Sequence, residues 1–152
     1  MRILGLDYGQ KRVGVAITDP LGITAQGLEV ITFTDPQVLL ARVGDLCSKY
    51  DVEKIVVGLP LRLDGSRGPA AEMAKQFKDL LKKSIGLPVI MVDERLTTRA
   101  AEQVLLAGNV RRKKRKGLQD KLAAVLILDT YLRTIETKEG GNADSPANNP
   151  KR

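Results

Sequence analysis

Residues 2–18 read RILGLDYGQKRVGVAIT, and this stretch decides the fold. In its second half, β-branched residues alternate with small or polar ones; they are Val13, Val15 and Ile17. An apolar residue at every second position is typical of a strand whose two faces differ. We expect strands over 2–7 and 12–18, and the short connection 8–11 joins them as a hairpin.

The rest of the chain is predicted to alternate between helices and strands. The elements after the hairpin are, in order, a strand around 26–33, a helix from Asp35 to Tyr50, a strand over 55–59, a helix from Ala70 to Gly86, a strand over 89–92, and helices near 97–107 and 118–136. Asp35 and Pro36 supply an N-cap and a first-turn proline, and Gly86 supplies a C-cap. The strands at 55–59 and 89–92 are continuous apolar runs, as expected for parallel strands covered on both faces. This order predicts an α/β fold with a five-stranded mixed sheet flanked by helices.

The composition is that of one compact domain. The chain has 152 residues, of which 43% are hydrophobic and 28% are charged. No apolar run approaches the roughly 18 residues that a membrane helix needs, and the N-terminus lacks a signal-peptide pattern. We therefore predict one domain over 1–136, a disordered tail over 137–152, and no membrane partner. Because Cys47 is the single cysteine, no intramolecular disulfide can form, and the cytoplasm is the expected location.

The chain contains no histidine. This absence excludes Ser-His-Asp and Cys-His catalysis, and it excludes any zinc site built on imidazole. Catalysis would have to use carboxylates, lysine, tyrosine, cysteine, or a metal ion held by oxygen ligands.

Six consecutive basic residues concentrate the charge of the chain; they are Arg111, Arg112, Lys113, Lys114, Arg115 and Lys116. The net charge is +7, so the rest of the chain is close to neutral. Such a patch favours salt-dependent binding of a polyanion, although a solvated loop that serves only solubility is the alternative. Three tyrosines and two phenylalanines, scattered along the chain, are too few for a base-stacking platform. A bound nucleic acid would be recognised by its backbone and shape.

Acidic residues stand at the edge of the predicted sheet where ligands bind. Asp7 ends the first strand, Asp93 and Glu94 end the fifth strand, and Asp120 opens the last helix. The carboxyl ends of parallel strands share one edge, and open α/β sheets bind their ligands there. Clustered carboxylates repel one another unless a cation neutralises them, and Mg²⁺ or Mn²⁺ suits oxygen ligands. Two such ions would activate a water and stabilise the leaving oxygen of a phosphodiester.

Each of these acidic residues also has a simpler interpretation. Asp7 would initiate the hairpin turn, and Asp120 would favour the dipole of its helix N-terminus. Asp93 or Glu94 would pair with Arg95 at the surface. If the strand persists, the two residues alternate between faces, so only one of them points into the site.

Other residues are weaker candidates for chemistry. The loop Gly58–Ser66 either lines a substrate groove or is simply a strand-to-helix turn. Cys47 sits late in an amphipathic helix, where packing is expected of it. Asp19, Asp64 and Asp129 are expected to be turn or surface residues.

Four ordered motifs resemble those of the YqgF/RuvX family of small bacterial proteins. The motifs are GLDYGQKRVGVA from Gly5 to Ala16, VGLP from Val57 to Pro60 with DGS from Asp64 to Ser66, DERLTT from Asp93 to Thr98, and Asp120 with Ala123 and Ala124. The resemblance covers residues 1 to about 135 and implies a ribonuclease-H-like fold. It also implies a metal-dependent nuclease that matures the 5′ end of pre-16S ribosomal RNA. The same family was earlier described as Holliday-junction resolvases.

The resemblance also implies the site residues. By motif, the acidic triad of the family falls on Asp7, Glu94 and Asp120, which selects Glu94 over Asp93. We expect the triad to be catalytic and to bind Mg²⁺ or Mn²⁺. Nucleic-acid binding is assigned to the basic run 111–116, to Lys11 and to Arg95.

Three interpretations of function remain open at this point. The first is a nuclease acting on structured RNA, such as precursor ribosomal RNA. The second keeps the same site but acts on branched DNA, as a Holliday-junction resolvase does. The third is a nucleic-acid-binding module whose acidic cluster is catalytically silent. In each case we expect a monomer or a weak homodimer.

Overall fold

A five-stranded mixed sheet forms the centre of the protein. The computed structural model describes residues 2–95 and 121–135. The strands are β1 (Arg2–Tyr8), β2 (Arg12–Thr18), β3 (Ala25–Thr32), β4 (Val52–Leu59) and β5 (Val89–Asp93), and they lie in the order β3-β2-β1-β4-β5. β1 pairs antiparallel with β2, and β2 pairs antiparallel with β3. β4 runs parallel to both β1 and β5, so the predicted mixed sheet is confirmed.

Two helices connect the strands in the first part of the chain, α1 (Pro36–Lys49) and α2 (Pro69–Ile85), and residues 121–135 are also helical. The Asp35 side chain accepts a hydrogen bond from the Gln37 backbone N–H at 2.9 Å, which caps the first turn of α1. Gly86 ends α2 with a φ of 80°, in the left-handed conformation that glycine adopts without strain. Both predicted caps are confirmed.

Each face of the sheet carries its own core, because side chains alternate along β1 and β4. On one face, α1 and α2 pack against residues that include Leu4, Leu6 and Val57. On the other face, the helical segment 121–135 completes a second core, whose buried residues are Ile3, Ala16, Val56, Ala124, Ile127 and Leu128. The central strands are therefore covered on both sides, as their continuous apolar sequence predicts.

The element boundaries differ from the sequence prediction in one informative place. β4 begins at Val52, three residues before the predicted start at 55. The charged residues Glu53 and Lys54 interrupt the apolar run, yet Val52 is buried and its backbone pairs with Arg2 of β1.

Several predicted elements lie outside the described residues. They are the helix near 97–107, the basic run 111–116 and the tail 137–152. The division into a domain and a tail therefore stays a prediction. Within residues 2–95 and 121–135, no helix is long and apolar enough to cross a membrane.

Candidate active site

Asp7 and Glu94 lie at the same edge of the sheet. Asp7 is the penultimate residue of β1, and Glu94 directly follows β5. β4 lies between these two strands and is parallel to both, so the three carboxyl ends share this edge. The fold thus brings together two of the three acidic residues selected from the sequence. The third, Asp120, lies outside the described residues.

Glu94 is a buried carboxyl group, with an exposed fraction of 9%. Its backbone N–H donates to the carbonyl of Leu59 at 3.0 Å. A Cβ atom on Gly58 would lie 2.5 Å from Glu94 Oε2 and 2.6 Å from Ile127 Cδ1. The carboxyl group therefore lies over the bare backbone of Gly58, and only glycine leaves that space. Sequence reasoning missed this role, although a glycine interrupting the apolar run 55–59 was its signal.

The side chains of Glu94 and Asp7 are joined by a hydrogen bond. Burial raises the pKa of Glu94 to about 8, and the charge of Asp7, the hydrogen bond with Asp7 and the charge of Asp93 act in the same direction. At pH 7 Glu94 therefore keeps its proton and donates a hydrogen bond to the Asp7 carboxylate. A shared proton removes the repulsion that two neighbouring carboxylates would otherwise feel.

Asp93 has a different environment from Glu94. Its carboxylate accepts from Arg95, with Oδ2 2.9 Å from Nε and 2.7 Å from Nη2. The hydrogen bond from the Arg95 side chain holds the pKa of Asp93 below its ordinary value. Of the two acidic residues that end this strand, Asp93 is the one that pairs with Arg95 near the surface, and Glu94 is the buried one.

The helical segment 121–135 approaches the sheet closely beside the site. A Cβ atom on Gly5 would lie 2.9 Å from the Leu128 Cβ and 3.2 Å from the Ala124 carbonyl oxygen. Ala123 and Ala124 are both buried. The small residues on both sides thus allow the helical segment and the sheet to pack closely.

At this edge of the sheet, Asp7 and Glu94 are a pair of carboxyl groups that could offer oxygen ligands to a metal ion. Among residues 2–95 and 121–135, no group of three or more Asp, Glu or Cys residues is placed to hold a metal. A site with three carboxylates therefore requires a residue from outside these ranges.

The family of the chain follows from its match to a family model over residues 1–134, described as RuvX, Holliday junction resolvase. The chain belongs to the RuvX family. A Halothermothrix orenii protein named "Putative pre-16S rRNA nuclease" is 54% identical over 132 residues, which is 87% of this chain and 94% of that protein. A Listeria monocytogenes protein of the same name is 54% identical over 136 residues, or 88% and 99% of the two chains.

The fold of this RuvX-family chain is also similar to that of solved resolvases. Thermus thermophilus RuvC in complex with a Holliday junction substrate matches with a TM-score of 0.55 and 20% identity, over 88% of this chain and 96% of RuvC. This likeness supports the predicted ribonuclease-H-like, α/β fold class and is evidence for the fold alone.

The predicted nucleic-acid-binding residues of this RuvX chain are only partly described. Lys11 is exposed in the connection between β1 and β2, next to the edge that carries Asp7. Arg95 is bound to Asp93. The basic run 111–116 lies outside the described residues. Nucleic-acid binding by these residues stays a prediction.

The loop after β4 is closed by its own hydrogen bonds. The Ser66 N–H donates to Asp64 Oδ1 at 2.8 Å, and the Arg62 N–H donates to the Ser66 carbonyl at 3.0 Å. Arg95 Nη1 donates to the carbonyl of Leu63 at 3.4 Å. The loop therefore has the turn chemistry that was one of its two interpretations, and it also contacts Arg95 just after β5. Whether it lines a substrate groove stays a prediction.

Residues predicted to be structural are found in such positions. Burial raises the pKa of the Cys47 thiol to about 11, so it is a packed and unreactive group. Asp19 accepts backbone hydrogen bonds from Ile23 and Thr24 in the turn between β2 and β3, and Asp129 pairs with Arg133.

Three of the aromatic residues, scattered in sequence, meet in space. Tyr8 stacks on Phe77 with ring centroids 4.3 Å apart and on Phe33 at 6.3 Å. Both phenylalanines are buried. The cluster belongs to the core, so the expectation that these aromatics form no base-stacking platform agrees with where they lie.

Proposed function

We propose that this RuvX-family chain is a divalent-metal-dependent nuclease that hydrolyses a phosphodiester bond during 5′-end maturation of pre-16S ribosomal RNA. The observation that carries the proposal is the hydrogen bond between half-buried Asp7 and buried Glu94 at the carboxyl edge of three parallel strands. The names of the relatives from Halothermothrix orenii and Listeria monocytogenes support the nuclease activity and the ribosomal RNA substrate. We place the activity in the cytoplasm, where that RNA is made.

The carboxyl pair fits a divalent cation. Both groups offer oxygen ligands to a metal ion. At neutral pH the two groups share one proton, and a divalent cation can replace that proton between them. When bound, Mg²⁺ or Mn²⁺ supplies a Lewis acid that lowers the pKa of water and stabilises a leaving oxygen. Glu94 must release its proton to become a ligand. We assign Asp120, which directly precedes the described helical segment, as the third carboxylate.

The protein residues have separate roles in this proposal. Asp7, held on a central strand of the sheet, provides a fixed carboxylate. Glu94 lies over Gly58 and provides a second carboxylate whose position is set by packing. The basic run 111–116 and Lys11 bind the phosphate backbone, which raises the local concentration of the substrate.

Branched DNA is the second candidate substrate, because the family model is described as a Holliday junction resolvase. Metal-dependent cleavage should be measured on a fragment spanning the 5′ end of pre-16S rRNA and, side by side, on a four-way DNA junction. We expect the RNA to be cut with Mg²⁺ or Mn²⁺ and the junction to be cut more slowly. Preferential cleavage of the junction would select the resolvase instead.

Asp7→Asn is the decisive variant, because it keeps the shape of the side chain and removes one carboxylate. We expect it to lose cleavage and keep its fold. Asp79→Asn, which changes an exposed residue of α2, is the matched control and should cleave as the unmodified protein does. Full activity of Asp7→Asn would refute the proposal. Salt-dependent RNA binding without product, by the unmodified protein with either metal, would show a catalytically silent binding module.

A further inference from the structure

The side chain of Arg95 folds back onto the residue that precedes Glu94. Its Nε lies 2.9 and 3.1 Å from the two carboxylate oxygens of Asp93, and its Nη2 lies 2.7 Å from Oδ2. The backbone N–H of Arg95 donates to Asp93 Oδ1 at 3.0 Å. Asp93 and Arg95 thus close a turn whose middle residue is Glu94.

The same guanidinium group reaches the loop between β4 and α2, residues 60–68. Its Nη1 donates to the Leu63 carbonyl at 3.4 Å. Gly65, with a φ of +91°, leaves the space for this contact, because a Cβ atom there would lie 3.3 Å from Nη1. Two hydrogen bonds within the loop, one between Ser66 and Asp64 and one between Ser66 and Arg62, stabilise the loop conformation that presents the Leu63 carbonyl to Arg95.

The backbone of Glu94 is therefore held from two directions. On the strand side, its N–H donates to the carbonyl of Leu59 at the end of β4. On the solvent side, Arg95 ties the turn to the loop that follows the same strand. The Glu94 side chain has little freedom, since it is buried and its carboxyl group occupies the space beside Gly58 where a Cβ atom would lie.

We propose that Arg95 is a positioning residue for Glu94: by binding Asp93 and the Leu63 carbonyl, it fixes the end of β5 against the β4–α2 loop. This inference rests on the proposed nuclease function. The role requires arginine, because its planar guanidinium presents several donors in a fixed geometry, whereas the lysine ammonium is a point charge. All three guanidinium nitrogens already have an acceptor within the chain, which argues against a primary role in binding phosphate.

The test compares Arg95→Ala, Arg95→Lys, Asp93→Asn and the double variant Arg95→Ala/Asp93→Asn. We expect each single change to lower kcat about tenfold or more with KM within about twofold, because a small misplacement of a catalytic group has an effect of this size. The double variant should be no slower than either single variant, since both changes break one interaction. The Mn²⁺ concentration for half-maximal activity should stay unchanged, which separates positioning from loss of a metal ligand at Asp93.

The matched control is Arg42→Ala. Arg42 pairs with Glu29 through an equally short contact, 2.6 Å, between α1 and β3. This variant also removes an exposed arginine–carboxylate pair, but away from the candidate site. It should leave kcat and KM unchanged.

Hydrogen exchange provides a readout that does not depend on cleavage. Amides of residues 61–66 and 93–95 should exchange faster in Arg95→Ala and in Asp93→Asn than in the unmodified protein, while Arg42→Ala should leave them unchanged. Unchanged hydrogen exchange in these segments would overturn the positioning role of Arg95, whether or not the protein cleaves RNA. Absence of cleavage by the unmodified protein would refute the proposed function and leave this test of Arg95 intact.

A direct phosphate contact gives the opposite pattern. In that case Arg95→Ala would raise KM and lower the salt dependence of RNA binding by about one unit of log K per log salt. Arg95→Lys would restore both quantities, and Asp93→Asn would cleave normally. This pattern would overturn the positioning role.

Discussion

The carboxyl group of Glu94 occupies the space that a side chain at Gly58 would need. Glu94 Oε2 lies 2.5 Å from the position of a Cβ atom on Gly58, and Ile127 Cδ1 lies 2.6 Å from the same position. Distances this short cannot be kept by real atoms. The position of Glu94 therefore requires glycine at position 58. The candidate site thus depends on a residue that has no side chain.

Gly58→Ala should displace Glu94 and abolish cleavage. Overpacking at this buried position should also lower the free energy of unfolding by about 1–3 kcal/mol. The measurements are cleavage of the precursor RNA and unfolding in urea. Gly44→Ala is the control: nothing lies within 4 Å of its Cβ position, and alanine in a helix is favoured over glycine by up to about 1 kcal/mol. Normal activity of Gly58→Ala would contradict the described position of Glu94.

The stability of the protein should fall as pH rises from 4.5 to about 8. The pKa of Glu94 is raised from its ordinary 4.5 to about 8, first by burial and then by Asp7. In this window the folded protein holds a proton that the unfolded chain has lost, so the free energy of unfolding decreases with pH, by a few kcal/mol in total. The absence of histidine leaves few other groups that titrate here.

Glu94→Gln should remove this pH dependence, because glutamine does not titrate and still offers a donor to Asp7. The variant should be more stable than the unmodified protein at pH 9, as measured by urea unfolding across pH 5–9. Glu53→Gln, at an exposed position of β4, should retain the decrease of the free energy of unfolding with pH. Equal slopes for the two variants would mean that Glu94 titrates normally.

Asp7→Asn should lower the pKa of Glu94. The negative charge of Asp7 is the second largest cause of the raised pKa, and burial, the largest cause, stays in place. The pKa should therefore move down from about 8 but stay above 4.5. A carboxyl ¹³C NMR titration measures it, with Asp79→Asn as the control. An unchanged Glu94 titration in Asp7→Asn would show that the two groups do not interact.

Neutralising all six residues of the basic run 111–116 should weaken RNA binding and flatten its salt dependence. If every one of them neutralises a phosphate of a single strand, the slope of log K against log salt changes by about four. Lys82→Gln/Lys83→Gln, at the exposed end of α2, should change it by less than one. A slope that survives the loss of all six charges would mean that the run serves only solubility.

The hairpin and the helix caps were predictable because their signals are local. The alternation of Val13, Val15 and Ile17 specifies a strand with two faces, and Asp35 before Pro36 specifies a helix start. The first residues of β4 were not predictable in this way. Glu53 and Lys54 are charged, and only the pairing of β4 with β1 keeps them in a strand.

The candidate site was predictable in its residue types but not in its contacts. Strand alternation indicated that only one of Asp93 and Glu94 points into the site, and family resemblance selected Glu94. The pairing of Asp93 with Arg95 is a local contact that the sequence offered as one alternative. That Gly58 makes room for Glu94 depends instead on the packing of β4, the residue after β5 and the helical segment 121–135, which are distant in sequence. Spacing along the chain carries no information about such contacts.

The helical segment 121–135 is synthesised after all five strands, yet Ala124, Ile127 and Leu128 form half of the second core. During translation, the sheet face that bears Ile3 and Val56 therefore lacks the cover of this segment until the segment leaves the ribosome. A nascent chain halted before that point leaves the apolar side chains of this face without these packing partners. It also lacks Asp120, the proposed third carboxylate. Ribosome-bound fragments of this protein are thus candidates for chaperone capture, and the proposed nuclease site is complete only after residue 120 has been synthesised.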